Sequence, residues 1–122
     1  MFDHVGFPVR DLAVSRAFYV AALAPLGIGL VVDRAEWIAF GPHGRAQFWL
    51  GGQLAPPGGV HLAFAAADRA AVRAFYEAAL AAGGTDNGAP GLRPQYHPNY
   101  YGAFVLDPDG HNVEAVCRNT ED

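Results

Sequence analysis

The stretch HVGFPVRDLAVSRAFYVAALAPLG at 4–27 is repeated, without a gap, as HLAFAAADRAAVRAFYEAALAAGG at 61–84. Shifting the chain by 57 residues makes 13 of these 24 positions identical, where chance matching in an alanine-rich chain gives about two or three. Each copy starts with a histidine in a short apolar run, which is typical of a strand, and continues into an alanine-rich run with helical spacing. The sequence therefore contains two copies of one structural unit.

Each copy predicts a strand, a helix and then three further strands. Asp11 and Asp68 occupy the N-cap positions of the two helices, where a carboxylate accepts hydrogen bonds from free amides. The predicted helices span 12–25 and 69–82. The predicted strands are 2–9, 28–33, 36–41 and 45–50 in the first copy, and 59–66, 84–87, 101–107 and 111–117 in the second.

This order predicts an α+β fold in which two βαβββ modules form an open, eight-stranded curved sheet with the helices outside. The chain is interpreted as a single domain of 122 residues. Its first module covers 1–51, a linker rich in glycine and proline covers 52–58, and the second module covers 59–122.

Composition argues against several classes of partner. The formal net charge is −4, and the eight basic residues, all arginine, are spread along the chain without a cluster. Nucleic acid and anionic membrane surfaces are therefore not expected partners. A single cysteine, Cys117, allows no internal disulfide, and no run approaches the roughly 20 apolar residues of a membrane span. We expect a cytoplasmic protein, and the bias toward Arg, Ala, Gly and Pro is typical of GC-rich bacterial coding.

The alternation of side chains along the strands suggests a site. If Val5 and Phe7 pack beneath a helix, then His4 faces the opposite, concave side, and the repeat places His61 there too. In the last strand, the same argument turns Glu114 toward the concave side. Two imidazoles and a carboxylate in an apolar trough are costly unless a divalent metal compensates them. For either histidine alone, a core histidine bonded to a backbone carbonyl remains the alternative.

One segment of the second half has no counterpart in the first. The stretch NGAPGLRPQYHPNY at 87–100 holds three prolines and two glycines, which predicts an irregular loop. Because it carries Arg93, Tyr96, His97 and Tyr100, it is a candidate lid over a site, or else an ordered surface excursion. His43 and His111 fall in or beside turns and are predicted to be solvated.

The duplication, the strand-borne histidine in each half, the AFY of each helix and the run GAFVLDPDGHNVEAV at 102–116 resemble the vicinal oxygen chelate superfamily. That superfamily includes glyoxalase I, fosfomycin thiol transferases, methylmalonyl-CoA epimerase, extradiol dioxygenases and bleomycin resistance proteins. Its metalloenzymes take their ligands from the first and last strands of each module. The resemblance implies that His4, His61 and Glu114 bind one divalent Zn, Ni, Mn or Fe ion.

The fourth ligand position of the superfamily departs from this pattern. Aligning GPHGRAQFW at 41–49 on DPDGHNVEA at 107–115 sets Phe48 opposite Glu114. Gln47 is adjacent but on the other face of the strand, unless a bulge rotates it inward. We therefore expect a three-ligand site that water or substrate completes.

The resemblance implies a metal-dependent enzyme of lyase, isomerase or thiol-transferase type that acts on a small molecule chelated through oxygen. Glu114, His97 and Tyr100 are its expected catalytic residues. The expected substrate contacts are Phe48, Trp49, Arg93, Tyr96 and Tyr101. A homodimer is expected, in which the first module of one subunit faces the second module of the other. The alternative is a metal-free protein that sequesters a ligand, as bleomycin resistance proteins do.

Overall fold

A computed structural model describes residues 3–51 and 60–120. In the first module its elements follow the predicted order, with one short 3-10 helix after the long helix and another before the last strand. The elements are β1 (Val5–Pro8), α1 (Leu12–Leu23), the 3-10 helix Ala24–Leu26, β2 (Gly29–Asp33), β3 (Trp37–Gly41), the 3-10 helix Pro42–Gly44 and β4 (Phe48–Gly51).

The second module repeats this order without the 3-10 helices. Its elements are β5 (His61–Ala65), α2 (Arg69–Ala81), β6 (Thr85–Leu92), β7 (Tyr101–Leu106) and β8 (Asn112–Cys117). The predicted linker at 52–58 lies outside the described residues.

The eight strands form two four-stranded sheets, with the orders β1-β4-β3-β2 and β5-β8-β7-β6. In each sheet the first strand of the module runs parallel to the last, and the other pairs are antiparallel. This identical topology confirms the two βαβββ modules. The edge strands β1 and β5 line one cavity of about 230 Å³ between the modules.

Both predicted helix caps are confirmed. The Asp11 carboxylate accepts a 3.2 Å hydrogen bond from the amide of Val14, and Asp68 accepts one of 2.8 Å from Ala71. Each cap satisfies an amide that has no partner within the helix, so it marks where α1 or α2 begins.

The core lies between the helices and the inner faces of the two sheets. Each helix turns its apolar side chains inward, because residues three or four apart share one helix face. The fully buried ones are Phe18, Tyr19, Ala22, Leu23, Val72, Phe75 and Ala79. The two helices also contact each other, so one core serves both modules.

A buried polar cluster joins the two modules. The Tyr19 hydroxyl of α1 donates a 2.7 Å hydrogen bond to Asp107, which is 4% exposed. His111 is also buried, its ring centroid 4.3 Å from that of Phe7, and its Nδ1 accepts from the amide of Val60. The expectation that His111 is solvated is wrong, because the first module covers the start of β8. His43 is exposed, as predicted.

The segment 87–100 is more regular than its composition predicts. Its first part belongs to β6, whose pairing with β7 shifts register on either side of Gly88. Pro90 is tolerated there because β6 is an edge strand, where a missing amide hydrogen costs no ladder bond. The remainder is a loop closed by a 2.7 Å hydrogen bond from the Arg93 amide to the Tyr100 carbonyl.

Within the described residues, no helix combines the length and the apolar character that crossing a membrane requires.

Candidate functional site

A buried carboxylate lies at the centre of the second sheet. Glu114 in β8 is 1% exposed and pairs across the parallel ladder with Ala63 of β5. Its Oε1 lies 2.9 Å from Nε2 of His61, and the hydroxyl of Tyr100 donates to its Oε2. Both carboxylate oxygens therefore have partners, which offsets the cost of burying a charge. The predicted convergence of His61 and Glu114 on one face is confirmed.

The hydroxyl of Tyr100 is held in its protonated form. Burial and the neighbouring Glu114 carboxylate raise the pKa of Tyr100 to about 12, because both disfavour the phenolate. At neutral pH, Tyr100 is thus a neutral hydrogen-bond donor that orients Glu114.

Aromatic rings surround this pair. The Phe104 ring centroid lies 6.3 Å from that of His61, and the Tyr96 ring lies 5.2 Å from that of Tyr100. Tyr96 is 64% exposed at the outer side of its loop. His97 is half-buried, and its Nδ1 accepts a 3.1 Å hydrogen bond from the amide of Asn99. A neutral His97 therefore carries its proton on Nε2.

Two arginines stand beside the aromatic rings. The guanidinium carbon of Arg93 lies 5.3 Å from the Phe104 ring centroid, and that of Arg118 lies 5.2 Å from the Tyr100 ring centroid. Arg118 was not among the residues predicted for the site. Strand alternation could have identified it, because positions 114, 116 and 118 lie on the same face of β8 and its continuation.

His4 lies apart from the pair. Its side chain is 63% exposed, with Nδ1 2.9 Å from Oδ1 of Asp3, and it lines the cavity between the modules together with Ala63. Among residues 3–51 and 60–120, no three His, Cys, Asp or Glu side chains of one chain are grouped so that they could hold a metal ion. The metal set of His4, His61 and Glu114 is not assembled within a single chain and stays a prediction.

Phe48 is not the register counterpart of Glu114, so that alignment is wrong, and its ring borders the cavity that His4 lines. Phe48 is buried, and its ring packs against those of Phe7, Tyr19, Phe40 and Phe64. In the ladder, Trp49 pairs with Gly6 as Glu114 pairs with Ala63. The counterpart of Glu114 is therefore Trp49.

A one-residue shift in the preceding turn explains the difference. In the first module the turn is closed by a hydrogen bond from the Arg45 amide to the Pro42 carbonyl; in the second, the Gly110 amide donates to Asp107. The first turn thus lies one residue later than the alignment of the two motifs assumes. The same shift places Gln47 on the face of Trp49 without a bulge, and Gln47 lines the cavity that His4 lines.

The exposed face of the first sheet is apolar. Trp37, which is 50% exposed, and Trp49 border a cavity of about 290 Å³. Glycines make room for both rings, because a Cβ at Gly6 would lie 3.1 Å from the Cβ of Trp49, and one at Gly51 would lie 3.0 Å from the Trp37 ring.

Tyr101 lies on the other side of its sheet. Its ring packs beneath α2, with the guanidinium carbons of Arg69 and Arg73 at 5.1 and 6.0 Å from its centroid. In β7 it pairs with buried Cys117. Because Tyr101 is three positions before Phe104, it lies on the opposite face of the strand. Tyr101 therefore lies on the face of the sheet opposite to Glu114, and its expected contact with substrate stays a prediction.

A comparison with models of protein families agrees with the observed strand topology. The model of the Glyoxalase/Bleomycin resistance protein/Dioxygenase superfamily matches residues 1–115. The chain belongs to this superfamily. The resemblance drawn from the duplication and the motif at 102–116 is thus confirmed.

Solved structures of the glyoxalase superfamily share the fold. A glyoxalase/bleomycin resistance protein from Albidiferax ferrireducens T118 is 37% identical, with a TM-score of 0.83 over 98% of this chain and 99% of its own. A putative glyoxalase from Bacillus halodurans is 26% identical, with a TM-score of 0.72 over 96% and 95%. A glyoxalase-related enzyme from Fulvimarina pelagi is 23% identical, with a TM-score of 0.72 over 93% and 84%. The comparison with curated proteins gives no match.

Proposed function

We propose that this chain is a divalent-metal-dependent enzyme of the glyoxalase superfamily that acts on a small molecule bound through oxygen, with chemistry of the lyase, isomerase or thiol-transferase type. The observation that carries the proposal is the buried carboxylate of Glu114, whose Oε1 faces the half-exposed His61 at 2.9 Å. A buried carboxylate beside an accessible imidazole combines two of the side-chain types that bind divalent metals.

The pair fits a metal ion. His61 Nε2 and Glu114 Oε1, which face each other at 2.9 Å, would hold such an ion between them. One imidazole nitrogen and one carboxylate oxygen suit Zn, Ni, Mn or Fe. When bound, such an ion supplies Lewis-acid stabilisation of charge that develops on substrate oxygens.

The third ligand, His4, is proposed to come from a second subunit. Within one chain His4 is paired with Asp3 instead. The exposed apolar face around Trp37 and Trp49 supports association, since an aromatic face of this kind is costly in water. A homodimer would bring the first module of one chain to the second module of the other.

The loop residues have distinct proposed roles. Tyr100 holds Glu114 through its hydroxyl and stays protonated through the physiological range. His97 is the proposed proton donor or acceptor, because its Nε2 is the nitrogen left for a substrate once Nδ1 accepts from Asn99. Tyr96 covers the outer side of the same loop, where its exposed ring can contact the substrate.

Metal analysis of purified variants tests the proposal. We expect the wild-type protein to hold close to one divalent ion per chain, and His61→Ala, His4→Ala and Glu114→Gln to lose it. His43→Ala is the matched control, since it removes an exposed histidine outside the site. Full metal content in His61→Ala would exclude the assigned ligand set.

A mixture of two variants tests the shared site. Neither His4→Ala nor His61→Ala has a complete site as a homodimer, but a mixed dimer would combine the intact His4 of one chain with the intact His61 and Glu114 of the other. After subunit exchange, an equal mixture should recover about a quarter of the wild-type metal content. No recovery in a mixture that light scattering shows to be dimeric would exclude a site between subunits.

A metal-free, ligand-sequestering protein is the second candidate. The observation that favours it is Trp49 at the register position of Glu114, because an aromatic ring there replaces a ligand with a stacking surface. Quenching of tryptophan fluorescence by an aromatic compound, equal with and without EDTA, in a protein that purifies without metal would support this candidate over the first.

A further inference from the structure

The two modules differ in how they cover one pair of equivalent rings. Phe7 in β1 and Phe64 in β5 are counterparts in the repeat, and the Phe48 ring packs edge-on against both, with centroid distances of 5.5 and 5.4 Å. Phe7 has a second ring beside it, the imidazole of buried His111 at 4.3 Å. In the part of the chain that the structure describes, Phe64 has no second ring, and it stays half-buried.

The strand register explains the missing ring. Trp49 and Glu114 occupy the same register position, and three residues before them stand Ala46 and His111. The turns that precede β4 and β8 keep this correspondence. Ala46 therefore holds the position of His111 in the first module, and alanine supplies no ring to cover Phe64.

The cavity between the modules lies beside Phe64. Its volume is about 230 Å³, and Asp3 and Gln47 border it where β1 and β4 begin. Phe64 alternates along β5 with Ala63, the ladder partner of Glu114, so the Phe64 ring lies on the core side of the second sheet. The cavity is therefore separate from the His61–Glu114 pair. Its apolar walls are formed by Val5, Ile28, Phe40, Phe48, Leu62 and Phe64.

The size and the polar edge of the cavity indicate what would fill it. An apolar cavity of about 150 Å³ is large enough to take up benzene, so this one has room for a single aromatic ring with a small substituent. In the other half, Nδ1 of His111 accepts a 3.1 Å hydrogen bond from the amide of Val60. The repeat counterpart of Val60 is Asp3, whose backbone amide donates no hydrogen bond within residues 3–51 and 60–120.

We propose that this cavity binds the nitrogen-containing aromatic ring of a small, uncharged molecule. The ring lies against Phe64 as His111 lies against Phe7, and its nitrogen accepts from the Asp3 amide. The neutral form binds, because a protonated ring nitrogen has no lone pair to accept a hydrogen bond. Since such a ligand touches Phe48 of the first module and Phe64 of the second, its binding stabilises the junction of the modules. The site requires no metal and does not depend on the proposed enzymatic function.

Binding of pyridine tests the proposal. Pyridine is titrated into the EDTA-treated, full-length protein at neutral pH or above, where the ring is uncharged, and binding is followed by amide chemical shifts. Nuclear Overhauser effects from the pyridine protons to Phe64 locate the ring. Tetrahydropyran is the matched control, since it has six ring atoms and an acceptor oxygen but is not planar. We expect a millimolar dissociation constant for pyridine and at least about threefold weaker binding of tetrahydropyran.

Variants of the cavity sharpen the test. Ala46→His should fill the cavity from within, as His111 covers the counterpart ring, and should abolish pyridine binding while raising the midpoint of thermal unfolding. Ala46→Ser is its control, because it keeps a small side chain and should retain binding. Phe64→Leu keeps an apolar side chain but removes the ring, and it should weaken binding by about threefold or more, as expected for losing an aromatic contact.

Several results would overturn the proposal. These are no binding of pyridine, equal binding of tetrahydropyran, contacts from pyridine to Trp37 and Trp49 in place of Phe64, or wild-type affinity in both Ala46→His and Phe64→Leu. Amide spectra report whether each variant is folded, and Phe64→Leu carries the test if Ala46→His is not. Metal content is measured separately, so loss of the metal assignment and loss of this site are distinct outcomes.

Discussion

Trp49 and Glu114 occupy the same register position in the two modules. Each projects from the last strand of its module beside a small residue of the first strand, Gly6 or Ala63. The duplicated scaffold thus presents an apolar surface on one sheet and a charged, hydrogen-bonded centre on the other.

The neighbouring pair Phe48 and Trp49 gives a direct test of this register. Phe48→Ala should lower the free energy of unfolding by about 3 kcal/mol or more, because it leaves a cavity among four aromatic rings. Trp49→Ala should cost about 1 kcal/mol, since its ring keeps contact with solvent. Chemical denaturation monitored by circular dichroism measures both. A larger loss for Trp49→Ala would indicate that the strand is turned the other way.

The hydrogen bond between Tyr100 and Glu114 predicts a pH effect. The carboxylate opposes formation of the phenolate, so Glu114→Gln should lower the pKa of Tyr100 from about 12 toward, but not fully to, the ordinary value of 10.0, because burial still acts. Absorbance near 295 nm, with Tyr100→Phe subtracted, isolates this ionisation, and circular dichroism checks that the fold persists. An unchanged midpoint would mean that the carboxylate does not act on Tyr100.

The contact between Tyr19 and Asp107 should stabilise the junction of the modules. Tyr19→Phe leaves a buried carboxylate oxygen without its 2.7 Å donor, and we expect a loss of about 1–3 kcal/mol in the free energy of unfolding. Tyr76→Phe in α2 is the matched control. It removes an exposed hydrogen bond from the Tyr76 hydroxyl to Asp86 of β6 and should cost less. Equal losses would argue against a special role for the junction.

The helix caps offer a prediction that is independent of the site. Asp68→Ala removes the acceptor of the Ala71 amide and should lower stability by about 1 kcal/mol, whereas Asp68→Asn, which keeps an acceptor, should retain most of it. Thermal denaturation of both variants checks this. A loss as large in Asp68→Asn as in Asp68→Ala would show that the charge, and not the cap, matters.

The modules and one half of the site could be predicted because they depend on local patterns. The 57-residue repeat, the capping aspartates and the alternation of side chains are properties of short segments, and they located both helices and brought His61 and Glu114 to one face. Tyr100 was predicted only as a residue of a loop over the site, and its hydrogen bond to Glu114 was not predicted.

The wrong predictions concern residues whose positions depend on the exact length of a turn or on segments distant in the chain. A single-residue shift in one turn reversed the faces of Phe48 and Trp49, because strand alternation has a period of two and a slip of one residue inverts it. His111 looked like a turn residue and became buried only because the first module packs over it. Pro90 could enter a strand because that strand lies at the edge of its sheet.

The sequence by itself determined the architecture: two copies of one module, each with a helix over a four-stranded sheet. Only the tertiary structure decided which side chains meet. It set Glu114 between His61 and Tyr100, separated His4 from them within the chain, and stacked Arg93 and Arg118 on the rings beside the pair. The physical reason is that periodicity reports which face a residue occupies, whereas contacts between residues far apart in the chain depend on how the faces pack together.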